Sequence, residues 1–270
     1  MKRCIFAIMA AMLLCGCSIK EEPDTLAVSF FDVGKADSFL MTCGGKNLLM
    51  DAGTAKDGKK VAKRLEDMDV ESIDYLMITH FDRDHAGGAA QIIQDFDVKA
   101  LLRPEYMKES DESAECMAAE DRGVKVIIIT SQTDIQLGST KLVIHPADKV
   151  YENDASNNSS LVTEVFHGNN SLLFTGDIEK ERIADIKYEL NDAGYDFLKV
   201  PHHGRYEKIL PEFFSLVGAQ SAVITSSEKN PEEQETIQAL EDAGVKDILL
   251  TRGGEITLQS DGGKLSFTQE

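Results

Sequence analysis

The sequence predicts an α+β fold in which mixed β-sheets are flanked by helices, and two observations carry that expectation. β-Branched apolar segments and segments of helical period follow one another in the order strands, helices, strands, helices, strands. No stretch rich in Pro, Gly or Ser and no low-complexity segment interrupts residues 26–270, which therefore read as one domain. A third observation locates the chemistry. Acidic residues and histidines gather just after predicted strands, most densely in Ile78-Thr79-His80-Phe81-Asp82-Arg83-Asp84-His85-Ala86-Gly87-Gly88. Four potential metal ligands fall there within six residues, a density that a solvated surface loop does not need.

In order, Leu26–Val33, Asp37–Cys43 and Lys46–Met50 read as a β-meander, with Gly44-Gly45 as a turn. Val61, Leu65 and Met68 recur at helical spacing after Gly58. A strand Ile73–Thr79 leads into the ligand-rich loop, followed by a helix Gly88–Phe96, a strand Val98–Leu102, a helix Glu109–Arg122 and a strand Val124–Thr130. The middle returns to strands at Asp134–Leu137, Thr140–His145, Ser160–His167 and Ser171–Thr175, with Ala147–Asn158 as a polar loop. A helix Glu179–Asp192, a strand Phe197–Val200, a helix Pro211–Leu216, a strand Ser221–Thr225, a helix Pro231–Ala243 and three closing strands complete the chain.

At 270 residues, 42% apolar and 28% charged, the chain is long enough to bury a sizeable core. Its formal charge of −19 argues against a broad electrostatic footprint for nucleic acid, so a polyanionic substrate must be held by metals or by a local basic patch. At the N-terminus, Lys2 and Arg3 precede an apolar run from Ile5 to Leu14 that is too short to span a bilayer. The ending Leu14-Cys15-Gly16-Cys17 resembles a bacterial lipobox. That resemblance implies cleavage after residue 16, a lipid on Cys17, a polar tether over residues 17–25, and a membrane-anchored protein facing outward at the bacterial surface. Cys43 and Cys116 then remain to the folded domain and read as two buried free thiols, a disulfide between them being the alternative.

Asp51, His80, Asp82, Asp84, His85, Asp177, His202 and His203 all follow predicted strands, and strand ends along one sheet edge converge in space. Asp177 reads equally as a ligand or as the N-cap of the next helix. The motif His80-x-Asp82-x-Asp84-His85 resembles the metal signature of the metallo-β-lactamase superfamily, with Asp82 in place of a second histidine. Phe31-Asp32-Val33-Gly34, Met50-Asp51-Ala52-Gly53, Asn158-Ser159-Ser160-Leu161, Leu173-Phe174-Thr175-Gly176-Asp177 and Leu198-Lys199-Val200-Pro201-His202-His203-Gly204 resemble its ComEC-like branch, which includes the ComEC hydrolase domain and a surface phosphorylcholine esterase.

The resemblance covers residues 26–268 and implies an αββα sandwich with a dinuclear site for zinc or manganese at the shared edge of its sheets. His80 and Asp82 would bind one metal, Asp84, His85 and His203 the other, and Asp177 would bridge them. His202 would lie beside a substrate phosphate as donor or general acid. Asp51 would support the metal loop, and Asp32, Lys35, Asn158, Lys199 and Arg205 would support the site or meet the substrate. His145 and His167 are the remaining candidates for a further histidine ligand, although both read as ordinary strand residues. Lys35-Ala36-Asp37 stands where the family has Gln-Gly-Asp, and Arg205 where it often has Ser; Lys35, Lys199 and Arg205 offer the local positive patch. The implied reaction is hydrolysis by a metal-bridging hydroxide, with a phosphoester of nucleic acid or of a small cell-surface molecule as substrate. A carbonyl hydrolase acting on a lactone, thioester or β-lactam, and a non-catalytic DNA-uptake binding protein, are the alternatives.

Overall fold

The computed structural model describes residues 24–107 and 113–270. The expected signal peptide, Cys17 and most of the tether lie outside the described residues. The chain opens with β1 (Leu26–Phe30), β2 (Phe39–Cys43), β3 (Lys46–Met50) and α1 (Gly58–Asp67). β4 (Ser72–Ile73), β5 (Tyr75–Met77), α2 (Arg83–Ala86), α3 (Ala89–Asp95), β6 (Asp97–Val98), β7 (Ala100–Pro104), α4 (Ala114–Arg122) and β8 (Lys125–Ile129) follow. The second half holds β9 (Thr133–Leu137), β10 (Thr140–His145), α5 (Ala155–Asn158), β11 (Val162–His167), β12 (Asn170–Phe174), α6 (Lys180–Ile186) and β13 (Phe197–Lys199). After a 3-10 turn at Pro201–Gly204 come α7 (Leu210–Val217), β14 (Ser221–Ile224), α8 (Gln234–Asp242), β15 (Asp247–Leu250), β16 (Ile256–Ser260) and β17 (Leu265–Gln269).

Two large sheets form, in the orders β17-β16-β1-β2-β3-β5-β7-β8 and β15-β14-β13-β12-β11-β10-β9. Each is mixed: β3, β5, β7 and β8 run parallel in the first, β12 to β15 in the second, and the remaining pairs are antiparallel. The two-residue alternation of side chains sorts the apolar residues into three layers. Leu48 and Met50 face Phe174 and Phe197 in the core between the sheets. Leu49 faces outward onto Val61 and Leu65 of α1 and Ile92 of α3, and Leu173 faces outward onto Ile183 of α6, Phe213 and Phe214. Strands buried on both faces read as continuous apolar runs, which is why Leu172-Leu173-Phe174 shows no polar alternation. The layers are helix, sheet, sheet, helix, the αββα sandwich expected.

The hairpin turns lie at the end of the sandwich opposite the ligand loops. Asp24 is fixed there: its carbonyl accepts from His167 Nε2 at 2.5 Å and from Cys43 Sγ at 3.7 Å. Both cysteines of the domain are free thiols, but only Cys43 is buried, Cys116 being half-buried, which corrects the expectation of two buried ones.

Several element boundaries differ from the sequence reading. The strand expected at Ile73–Thr79 breaks at Asp74, whose carboxylate turns back to accept from Asn47 N at 3.0 Å, Lys46 Nζ at 3.1 Å and Lys99 Nζ at 3.0 Å. The expected helix Glu179–Asp192 stops at Ile186. Asn191 N donates to Glu164 Oε2 at 3.2 Å and to Tyr195 OH at 3.0 Å, bonds that a continued helix would forbid. The Ala147–Asn158 loop closes on the one-turn helix α5, and the first part of the helix expected at Glu109–Arg122 lies outside the described residues.

Candidate metal centre

Parallel strands bring their carboxyl ends to one edge of each sheet, and the two edges adjoin. β3 delivers Asp51, β5 delivers His80 to His85, β12 delivers Asp177, and β13 delivers His203. Backbone in the left-handed region shapes two of these turns through three residues: φ is 57° at Asp51, 44° at His202 and 54° at His203. Such conformations cost of order 1–3 kcal/mol each for non-glycine residues and persist where the surroundings over-determine them.

Asp51 organises the loop. Its Oδ1 accepts from Thr79 N at 2.8 Å, and its Oδ2 from Thr79 Oγ1 at 2.7 Å and His85 Nδ1 at 2.7 Å. The Thr79 hydroxyl has given its only proton to Asp51, so it accepts from His80 Nδ1 at 3.1 Å. His203 Nδ1 pairs with Thr225 Oγ1 at 2.9 Å. In all three imidazoles Nδ1 is engaged, which aims Nε2 into the site.

These three Nε2 atoms, of His80, His85 and His203, are buried and lack an aligned hydrogen-bond partner. Asp177 Oδ2 stands 3.1 Å from His85 Nε2 and 3.0 Å from His203 Nε2, and Asp84 Oδ2 lies 3.6 Å from His203 Nε2. Donor atoms of His80, His85 and Asp177 fall within 4.8 Å of one another, as do those of Asp84, His85 and His203. Buried polar atoms left without partners are costly, and a cation accepting their lone pairs removes that cost. The donor set of imidazoles and carboxylates suits zinc or manganese.

Charge is strongly redistributed in this pocket. Burial disfavours ionisation of Asp177, yet His203, His85 and Lys199 outweigh it and hold the carboxyl well below its usual range. Burial likewise disfavours charge on His203, but Asp177 and Asp37 raise its pKa to about 10. His80 goes the other way, to about 3, through burial and the neighbouring His85. For Asp84, burial is overcome by the nearby His203 and by His85, giving about 2.

The remaining expected residues divide. His202 projects Nε2 to 4.0 Å from Asp177 Oδ2 while its Nδ1 lies 2.9 Å from Glu179 Oε1, so His203 approaches Asp177 more closely than His202. Asp82 is half-buried, accepts from Ser156 Oγ at 2.6 Å and falls outside the converging donor groups among the described residues. Asp177 is not a cap: α6 begins at Lys180, and Asn158 Oδ1 accepts from Glu179 N at 2.9 Å and Arg182 N at 3.3 Å, doing the capping. Asp32 faces solvent beside Lys60 at 3.6 Å, and Lys35 is half-buried on the β1–β2 connection. Lys199 is a correction: it is fully buried under the site, 2.5 Å from Asp37 Oδ2, and forms no surface patch. Arg205 is exposed at the rim but pairs with Glu179 at 3.2 Å. His145 pairs with Glu164 at 2.8 Å and His167 with Ser260 at 2.8 Å, so neither joins the donor groups among the described residues.

Sequence reasoning assigned no role to Asp37, Thr79, Ser160, Glu179 or Thr225. Asp37 sat within a quoted motif, and a carboxylate opening a strand of apolar residues was the signal for it. Ser160 Oγ lies 3.2 Å from His80 Nδ1 and accepts from Asp177 N at 3.1 Å, contacts between strands that no local pattern announces.

Comparison with known proteins agrees with this geometry. Residues 31–225 match the family model of the metallo-beta-lactamase superfamily. The chain is 28% identical over 192 residues to ComE operon protein 3 of Bacillus subtilis, covering 69% of this chain and 24% of that protein. It is 29% identical over 237 residues to Recombination protein 2 of Haemophilus influenzae, covering 85% and 28%. The chain thus spans roughly a quarter of the length of these relatives. The solved structure of Igni18, a metallo hydrolase from Ignicoccus hospitalis, shares the fold with a TM-score of 0.53 at 16% identity, covering 91% of this chain and 99% of that one. With its two mixed sheets, its loop of histidines and aspartates and these relatives, the chain belongs to the metallo-β-lactamase superfamily and resembles the ComEC-like competence proteins within it.

Proposed function

We propose that the protein is a metal-dependent phosphodiesterase, anchored by a lipid on Cys17 and facing outward, that cleaves nucleic acid or a small phosphodiester of the cell surface. The observation that carries this reading is the convergence of the three partnerless Nε2 atoms of His80, His85 and His203 around Asp177. Two zinc or manganese ions held there would polarise phosphoryl oxygens and ionise water near neutral pH. His80, with Asp82 once it leaves Ser156, would hold one ion, and Asp84, His85 and His203 would hold the other, with Asp177 between them. His202 would stand beside the substrate phosphate, and Arg205 at the rim, on leaving Glu179, would add the positive charge that an anionic substrate needs on so acidic a protein. The carboxylates Asp82, Asp84 and Asp177 favour metals that prefer oxygen ligands, which supports phosphoester over carbonyl chemistry. The name of the similar Recombination protein 2 supports nucleic acid as one substrate class.

Purified residues 18–270 would be assayed with bis-p-nitrophenyl phosphate, labelled DNA and nitrocefin, each with Mn²⁺, with Zn²⁺ and with chelator. Chelator-sensitive phosphodiester cleavage is the expected result. Tight DNA binding without turnover, or turnover of nitrocefin alone, would refute the reading. Asp84→Ala and His85→Ala should each abolish measurable cleavage and lower metal content; if both quantities stayed at native level, the site assignment would be wrong.

A further inference from the structure

Two further groups of converging donors adjoin the two just described, Asp37–Asp51–His85 and Asp37–Asp177–His203. One ligand atom each from Asp37, Asp177 and His203 fall within 4.8 Å of one another, and all three side chains are buried. Both oxygens of Asp37 are buried and lack an aligned hydrogen bond, facing only cationic groups, with His203 Nδ1 3.4 Å from Oδ1, and the residue is fully enclosed. This is the composition of a cation site, and the chain supplies a cation to it. Lys199 Nζ stands 2.5 Å from Asp37 Oδ2 and 3.5 Å from Asp177 Oδ1, and it donates to Gly176 O at 3.3 Å.

The two residues reach this point from different sheets. Asp37 leads into β2 of the first, and Lys199 ends β13 of the second. Asp37 is pinned by its backbone: its N donates to Asp84 O at 3.1 Å, and its carbonyl accepts from Gly53 N at 2.8 Å. The carboxylate therefore cannot swing away if its counter-ion is lost, and a buried carboxylate without compensation is strongly disfavoured. An ammonium on a four-carbon stem is a compact point charge that can stand where a small metal ion would.

We propose that the Asp37–Asp177–His203 group is an inner cation site which the protein closes with its own Lys199 ammonium. The lysine thereby confines divalent metal to the two outer groups and braces Asp177 from below. It follows that vacating the lysine exposes a site for one more divalent ion. This inference rests on the proposal that the outer groups bind metal.

The test is metal analysis of residues 18–270 equilibrated with Mn²⁺, with thermal melting before and after chelation. Lys199→Ala removes both charge and stem and should raise bound Mn²⁺ from about two to about three equivalents. It should also widen the gap in melting temperature between loaded and chelated protein. Lys199→Met keeps the stem and fills the position with a neutral methyl group, so it should gain no ion. Asp37→Asn combined with Lys199→Ala removes the extra carboxylate and should return the count to about two. Where Lys199→Ala purifies unfolded, protein recovered by refolding with Mn²⁺ should bind about three equivalents, and a count of about two, or failure to refold with or without Mn²⁺, overturns the proposal. An unchanged Mn²⁺ count in folded Lys199→Ala also overturns it. Native protein without bound Mn²⁺ would instead defeat the proposed function, so the two failures are distinguishable.

Discussion

Asp51 shows how one residue sets the chemistry of several. By taking His85 Nδ1 at 2.7 Å and both donors of Thr79, it fixes His85 directly and His80 through the Thr79 hydroxyl. Asp51→Asn should therefore weaken metal binding by about 10–100-fold, the usual effect of removing a partner behind a ligand, as read by competition with a chromogenic chelator. An affinity within twofold of native would contradict the role. Protonation bears on the same measurement. Burial opposes charge on His85, but Asp177 and Asp51 outweigh it and raise its pKa well above the usual value. A divalent ion at Nε2 must then displace a proton, so affinity should fall as pH falls. At this scale the sequence revealed the residues that carry unusual chemistry, because His80, Asp84, His85 and the His202-His203 pair have few structural uses at strand ends. It did not reveal Thr225 or Ser160, since a hydroxyl gains its meaning only from the atom that folding brings to it. Lys199 was misread for the same reason: sequence identifies a charge but not the carboxylate that buries it.

Elements are held to the site by close backbone approach and by local polar ties. A Cβ at Gly88 would lie 2.1 Å from Ala52 O, and one at Gly87 would lie 2.6 Å from Ala55 N, so the turn between α2 and α3 packs directly on the loop after β3. Gly88→Ala should destabilise the fold by about 1–3 kcal/mol or more, measured as the shift in urea midpoint, because neither backbone can yield without moving Asp51 or His85. Asp74 ties the β4–β5 break to β3. Burial pushes its carboxyl up, but the Asn47 N–H and the ammoniums of Lys99 and Lys46 outweigh that and hold it below its ordinary value of 3.8. The folded state thus takes up this proton less readily than the unfolded chain. The stabilisation is fully present above the ordinary value and is lost as pH falls through the folded one. Asp74→Asn should lose about 1 kcal/mol at neutral pH, the half-exposed lysines adding little, and should show a smaller fall in urea midpoint on acidification than native protein. Strands and helices were legible from periodicity nearly throughout. Their ends were not, because Asp74 and Asn191 are set by partners on other strands.

For the molecule as a whole, the candidate ligands come from both sheets, from the loop after β5 on one side and from those after β12 and β13 on the other. A bound metal therefore ties the two halves of the sandwich together. Saturating Mn²⁺ at a hundredfold excess over its dissociation constant should stabilise the native state by about 2.7 kcal/mol per site, seen as a rise in melting temperature that chelator reverses. The layered architecture was readable because mixed runs of strands and helices pack in few ways, and the resemblance of ordered motifs sharpened that class to an αββα sandwich.

The clamp of His167 and Cys43 on Asp24 has a directional consequence. It fixes the point at which residues 1–23 join the body, at the hairpin end, and β1 then climbs about 17 Å toward the opposite end, where the histidines stand. A tether of seven residues from Cys17 to Pro23 can extend no more than about 25 Å in any conformation. With a lipid on Cys17, the bilayer would therefore hold the molecule by its heel. The reactive edge would look into the surrounding fluid, and substrates would arrive from that side and not from the membrane plane beneath.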